Sequence, residues 1–466
     1  MQRILCLIVV VFLLGMTALF VPEGLSPAAW RLFGVFLSAI AALVLRPFPE
    51  PVIMLLAVTL AAFWAVPLPE LLAGYMDGTL WLTVSAMIMS LGLRRSGLAE
   101  RIGLLLICRF GQTSLRMGYV LSSLDMLLAV STPASPARTG GIVFPLTMGV
   151  LDACRHKGTG VQRGLAAYLI LLIYMASMAA GSLFLTGMAP NLINASFAQR
   201  LLGLDITWNT WFLAALPGWL CFFATPYLVY RLCPPGIASL AVYQAETEKK
   251  LQRLGKVSGK EYLVLFIFLC VLGLWSTASM TGVNMAAAGL LGVSLMLLSG
   301  VLGWEDLSKA DGVWALWIWF GAILGFSGAL MQEGFFAWFT QWLDILLTSV
   351  DLPQAALWIL LALLAVFPHY LFASLGGYVA SMAPLLCSFV IVSGLPRYPA
   401  FFLFAFLMVV SSSLTHYGNA LGPMLMGTGL VSKALWWRTG LLLSIFQMLF
   451  YLVVGIGYWQ LLGWNY

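Results

Sequence analysis

Charge is what this sequence has least of. Only 9% of its 466 residues are Asp, Glu, Lys or Arg, while 62% are hydrophobic. A soluble globular chain carries about 25% charged residues, so water is not the solvent for most of this surface. Histidine is almost as scarce. His156 falls in a basic loop, His369 borders a helix start, and His416 alone sits within an apolar span. No nucleophile–base pair or metal-ligating cluster can be assembled from these, which argues against a membrane-embedded enzyme. The seven cysteines (Cys6, Cys108, Cys154, Cys221, Cys233, Cys270, Cys387) lack the paired spacing of a metal site. They read as reduced packing residues. No polar stretch is long enough for a separate soluble domain, so the whole chain is the membrane domain. Repeated charged rings, which a channel would want, are also missing.

What the chain does have is apolar runs, and roughly 20 apolar residues cross a bilayer as a helix. Such runs lie near Ile4–Val21, Ala29–Leu45, Val52–Val66, Thr79–Leu93, Leu165–Leu185, Trp211–Tyr230, Tyr262–Ser279, Met285–Leu302, Val313–Leu330, Phe401–Ser413 and Leu441–Leu461. The first follows a single basic residue, Arg3, but a turn at Pro22, Glu23 and Gly24 replaces the small-residue cleavage site of a signal peptide. It reads as a retained helix. Two further runs, Met117–Val150 and Ala355–Val392, are broken midway by Pro, Gly and small polar residues.

Basic residues orient these spans. With the N-terminus inside and the two broken runs as hairpins that enter and leave on one side, all but four of the 23 Lys and Arg face the cytoplasm. The four are Arg31, Arg200 and Arg397 outside, and Arg138 within a hairpin. That is the asymmetry of the positive-inside rule, and it accounts for the net charge of +6 without nucleic acid. The expected architecture is an all-α polytopic protein of about 11 transmembrane helices and two re-entrant hairpins. Its N-terminus is cytoplasmic and its C-terminus outside, in a bacterial inner membrane. The longest polar stretch, within residues 236–261, reads as a solvated amphipathic connector. It separates a first half, 1–235, with a cytoplasm-facing hairpin near 117–150, from a second, 262–466, with an outside-facing hairpin near 355–393. This is the pattern of an inverted repeat, which places substrate at the midplane between discontinuous helices.

Four broken places carry candidate chemistry. Backbone that leaves the helix at membrane depth must be buried or line a cavity, because hydrocarbon offers it no hydrogen bonds. The first is the tip Ser131–Gly141, with Thr132, Ser135, Pro136, Arg138, Thr139 and Gly140. Glycine there lets backbone approach a ligand, and a helix start rich in N–H groups suits an anion. The second is Leu185–Asn191, with Thr186, Gly187, Pro190 and Asn191. The third is the tip Ala373–Tyr378, with Ser374, Gly376 and Gly377. The fourth is Leu414–Pro423, with Thr415, His416, Gly418, Asn419 and Pro423. Arg138 has two readings. Ionisable groups at depth are usually paired, so it either grips a substrate carboxylate with two hydrogen bonds or forms a structural pair with Asp125.

The chain resembles the divalent anion:sodium symporter family, and within it the citrate/succinate and tartrate/succinate exchangers and the plastid 2-oxoglutarate/malate translocators. The likeness spans nearly the whole sequence. It is most specific at GYMDGTLWLTVSAMIMSLGLRRSGLAERI (Gly74–Ile102), PARTGGIVFP (Pro136–Pro145), FLTGMAPN (Phe184–Asn191), FASLGGYVASMAP (Phe372–Pro384) and SLTHYGNALGP (Ser413–Pro423). The resemblance implies a homodimer with an elevator motion, carrying small dianions such as C4-dicarboxylates or citrate, with no cofactor and, in the family's symporters, sodium ions.

In the family each hairpin tip bears a Ser-Asn-Thr type triplet, which falls here on Ala134, Ser135 and Pro136, and on Ser374, Leu375 and Gly376. Both tips depart from the pattern by losing side-chain oxygen. Sodium, if used, would draw on Ser135, Gly187, Ser374 and Gly418. Moving a dianion against 100 mV costs about 4.6 kcal/mol, at about 2.3 kcal/mol per charge. A symporter offsets that with cations, whereas an exchanger of dianions needs none. Thinned oxygen at the tips therefore favours exchange, with sodium-coupled symport of dicarboxylate or sulfate as the alternative.

Overall fold

The computed structural model describes residues 2–154, 159–350 and 352–464. His156, read above as a loop residue, lies outside the described residues. The fold is all-α, and among the described residues the extended pairing is a single antiparallel bridge between Thr113 and Ser239.

Eight described helices are long and apolar enough to cross a membrane, or ten if each of two bent pairs is one span. The pairs are Leu68–Met76 with Gly78–Arg95, bent by 49°, and Trp208–Ala214 with Leu216–Leu232, bent by 55°. Helices Arg3–Leu19, Glu50–Trp64 and Met285–Leu298 are apolar but shorter. Every one of the eleven expected runs is thus helical, though three fall short of the usual spanning length. The two hairpins differ in arm length. The arms of the second, Gln354–Leu371 and Leu375–Ser393, each pass the length and hydropathy criterion, while the arms of the first, Ser114–Ala129 and Phe144–Ala153, do not.

Two helices form the centre. Arg163–Ser182 and Arg397–Leu414 are 94% and 89% buried, against 22% for Gly259–Thr281. Both central helices are apolar all round, as a helix enclosed by other helices must be. Each then ends in a tight turn, Leu185–Gly187 and Ser411–Leu414, followed by a short helix, Ala189–Phe197 and Leu421–Met426. The order hairpin, buried helix, break, short helix therefore occurs twice.

A second hydrophobic core lies beside this centre and meets the second hairpin arm at Ala380. It is built from Ala29, Leu32, Val35, Ala61, Phe326 and Phe335 on the first three helices and on Asp311–Gln332 and Phe335–Thr348. Close approach there depends on small residues, as is usual between membrane helices. A methyl group added to Gly325 would overlap the Leu71 carbonyl oxygen, and one on Gly321 would meet the Tyr75 ring. Gly325→Ala is accordingly expected to destabilise by about 1–3 kcal/mol, read as a lower thermal midpoint in detergent. An unchanged midpoint would show that the contact relaxes freely.

The connector forms a helix, Ala241–Leu254, that is docked rather than fully solvated. Tyr243 and Thr247, one turn apart, are buried, while Glu246, Glu248, Lys249 and Lys250 are exposed. The Tyr243 hydroxyl donates to the Leu146 carbonyl of the first hairpin at 3.3 Å, and burial pushes its pKa up to about 12. Beyond the helix, Arg101 closes the connector. It pairs with Glu261 at 2.5 Å and donates to the carbonyls of Leu254, Gly255 and Lys256.

Candidate functional site

The first hairpin tip leaves the α-helix because Pro133 and Pro136 deny it two amide donors. The chain then re-enters through a wide, π-type turn over Pro136–Val143. Inside that turn Arg138 is fully buried, and all five of its N–H groups are engaged. Nε donates to Asp125 Oδ2 at 3.0 Å. Nη1 donates to the carbonyls of Thr132 and Gly187, both at 2.8 Å, and Nη2 to the carbonyl and hydroxyl of Ser177 at 3.2 and 3.1 Å. Thr139 donates its hydroxyl to the other carboxylate oxygen of Asp125 and lies 2.6 Å from Ser177 Oγ. Of the two readings of Arg138, the structure therefore holds the pair with Asp125. All five guanidinium donors are engaged within the protein, as in the second of the two readings.

This network joins three elements. Asp125 and Arg138 come from the hairpin, Ser177 from the first central helix, and Gly187 from the break that follows it. The same break is stitched to the tip again: Thr186 donates to the Val130 carbonyl at 2.6 Å, and the Ala189 amide to the Pro133 carbonyl at 3.2 Å. Asn191 donates Nδ2 to the carbonyls of Gly181 and Phe184, both at 2.8 Å, which hold the turn open. Pro190 fits at the start of the short helix, where its missing N–H has no partner to lose.

A parallel arrangement serves the second hairpin. His369, fully buried at the end of the first arm, lies 2.9 Å from the Gly418 carbonyl through Nε2 and 2.8 Å from Ser411 Oγ through Nδ1. A carbonyl only accepts, so the Gly418 contact places a proton on Nε2. Tyr417 donates to the Tyr370 carbonyl at 3.0 Å. The carbonyls of the two break glycines, Gly187 and Gly418, thus each receive an N–H from a hairpin side chain. At the tip, the Ser374 hydroxyl caps the second arm by accepting from the Gly377 amide at 3.3 Å. Gly376 packs on Trp319, where a methyl would clash.

The two units are interlocked. The short helix Leu421–Met426 lies against the first hairpin's π-type turn: a methyl on Gly140 would come within 3.1 Å of Met424 and 3.5 Å of Leu421. From the first central helix Tyr174 donates to the Ser412 and Thr415 carbonyls, at 2.8 and 3.2 Å. Asn419 reaches back to Met178 Sδ at 2.8 Å. Conversely, the short helix Ala189–Phe197 packs along the second hairpin arm Leu375–Ser393.

Buried polar atoms without partners are candidate ligand contacts where they fall in the broken stretches; others, such as Trp30 Nε1, Tyr168 Oη and Ser444 Oγ, fall elsewhere. Most buried polar groups are hydrogen-bonded, and an orphan costs about 1–3 kcal/mol. Here Thr132 Oγ1, Asn191 Oδ1, Asn194 Nδ2 and Oδ1, and Thr415 Oγ1 are buried and unpartnered. Three of those four residues are sequence candidates, and they lie in the first tip, the first break and the second break. Other candidates sit at the margin. Pro136 and Pro423 are exposed, Ala134 and Ser374 partly so, and His416 is partly exposed while accepting from Trp437 Nε1 at 3.1 Å. Ser135 is buried behind the tip.

Sequence reasoning missed Ser177, Asn194 and His369. Ser177 is the one hydroxyl between Tyr174 and Gly181 of an otherwise apolar run, and Asn194 repeats Asn191 one turn on. Either spacing could have drawn attention to them.

Two interlocked broken-helix units in an all-helical membrane chain have the architecture of a membrane transporter. The chain belongs to the sodium:sulfate symporter family: the model described as "Sodium:sulfate symporter transmembrane region" matches residues 2–465. It is 34% identical over 453 residues to the inner membrane protein YbhI of Escherichia coli strain K12, covering 95% of this chain and 94% of that one. It is 32% identical over 470 residues to the citrate/succinate antiporter of the same strain, covering 96% and 95%. Among solved structures, the YdaH transporter of Alcanivorax borkumensis shares the fold at a TM-score of 0.53 and 13% identity, over 100% of this chain and 99% of that one.

Proposed function

We propose that this chain exchanges small divalent organic anions, C4-dicarboxylates or citrate, across a bacterial inner membrane without sodium. The reading takes the N-terminus as cytoplasmic and the C-terminus as outside, the two halves as inverted repeats and the working unit as a homodimer. Transport proceeds by an elevator motion, in which the interlocked hairpin units slide against the helices of the second core. The substrate class draws support from the likeness to a citrate/succinate antiporter.

One observation carries the choice of exchange. The break carbonyls that a sodium ion would need, Gly187 and Gly418, already accept N–H groups from Arg138 and His369. The Arg138 guanidinium, neutralised by Asp125 at 3.0 Å, already fills the space beside the Gly187 carbonyl where a coupling cation would bind. In this reading the Arg138–Asp125 pair occupies that position permanently, so no coupling ion travels with the substrate. The orphaned hydroxyls of Thr132 and Thr415 then bound the anion site, donating to carboxylate.

Proteoliposomes loaded with unlabelled succinate should therefore take up labelled succinate or citrate in sodium-free buffer, and empty ones should not. Uptake that demands a sodium gradient and ignores the internal anion would reverse the coupling to symport. A panel of acids and sulfate in the same assay defines the substrate.

A further inference from the structure

The linker helix forms one wall of a cavity that the central site does not use. The cavity has a volume of about 400 Å³ and lies on the face rich in basic residues. Its lining includes Arg94 at the end of Gly78–Arg95, Glu100, Lys250 and Tyr243 on the linker helix, and Gly141 and Pro145 of the first hairpin. Arg94 and Lys250 are exposed and make no ion pair among the described residues, while neighbouring Arg95 is held by Asp306 at 3.0 Å. Arg94 reaches the hairpin itself: its Nη1 would lie 3.6 Å from a methyl placed on Gly141. Gly140, the next residue, faces the opposite way, onto Leu421 and Met424 of the second break. One thickness of the π-type turn thus separates this cavity from the buried network.

Two cationic side chains on different helices, set against one carboxylate, give the cavity a positive balance. Walls of one sign raise the local concentration of an oppositely charged solute, and the effect fades with ionic strength. The volume exceeds what a small di- or tricarboxylate needs. We propose that this cavity is a separate binding site for a small dianion, an anteroom in which Arg94 and Lys250 hold carboxylates arriving from the cytoplasm before the hairpin admits them. The proposal rests on the anion-exchange reading and on the orientation given there. It also assigns the docked linker a role, since Tyr243 fixes the helix that carries Lys250.

The test uses the full-length protein and succinate as probe, in everted and right-side-out membrane vesicles that expose opposite faces. In Arg94→Gln/Lys250→Gln the half-saturating succinate at the cytoplasmic face should rise several-fold, with the outer-face value unchanged. Raising salt from about 50 to 300 mM, which shortens the screening length, should weaken cytoplasmic-face saturation in the wild type and leave the double variant unaffected. Arg94→Lys should restore most of the wild-type value. A shift of equal size on both faces, or no shift on either, would overturn the anteroom. Absence of counterflow in the wild type with succinate, citrate and sulfate alike would instead overturn the exchange reading, so the two failures are distinguishable.

Discussion

Thr415→Val should leave the protein at least as heat-stable as the wild type while lowering succinate uptake by about 10- to 100-fold. The two effects have opposite signs for one physical reason. The Thr415 hydroxyl is buried and has no partner. An unmade hydrogen bond at such a site opposes folding by about 1–3 kcal/mol, so an isosteric methyl relieves a penalty. When a carboxylate arrives, the same hydroxyl gains a charge-assisted hydrogen bond of about 1.5–3 kcal/mol, and the valine variant forfeits it. Thr132→Val should behave alike, because its hydroxyl is equally orphaned. The pair of measurements is a thermal midpoint in detergent and uptake into proteoliposomes. Normal uptake with a lowered midpoint would mean that these hydroxyls serve packing alone. Asn191 is a poorer test, since its Nδ2 also holds the turn through Gly181 and Phe184.

Arg138→Met should have the larger effect, on folding itself. Removing one member of a buried ion pair costs about 3–5 kcal/mol, because the remaining charge is left uncompensated. Here Asp125 would keep only the Thr139 hydroxyl, and the carbonyls of Thr132, Ser177 and Gly187 would lose their donors together. Little folded protein is expected from membranes expressing the single variant. Adding Asp125→Leu removes the stranded charge and should recover part of the yield. The double variant also frees the Gly187 carbonyl, so sodium should raise its thermal midpoint while leaving that of the wild type unmoved. If the single variant folds normally and fails only in binding, Arg138 is a substrate contact after all. If sodium shifts neither protein, the Arg138–Asp125 pair does not occupy a cation's position.

Much of this site was legible because membranes make irregular backbone conspicuous. Pro133, Pro136, Gly140 and Gly141 stand out in an apolar run, as do Gly187 with Pro190 and Gly418 with Pro423. Each of the four stretches does interrupt a helix. The role of Arg138 was not legible. Asp125 precedes it by 13 residues, a spacing that names a partner without showing whether the guanidinium has donors to spare. That question turns on Ser177 and Gly187, 39 and 49 residues further on. His369 was passed over for a related reason. Its position at a helix end says nothing of the Gly418 carbonyl 49 residues away.

The amino-acid sequence by itself determined the solvent, the helical class, the approximate spans and the four places where helices break. Those properties follow from local composition: hydropathy over one bilayer thickness, and proline or glycine where an amide bond pattern must stop. Only the tertiary structure decided which polar groups satisfy one another and which are left over. Five donors of one arginine found five acceptors on three elements, while the hydroxyls of Thr132 and Thr415 found none. Hydrogen bonding is short-ranged and directional, so its outcome depends on how distant segments meet, and no reading of neighbouring residues contains it.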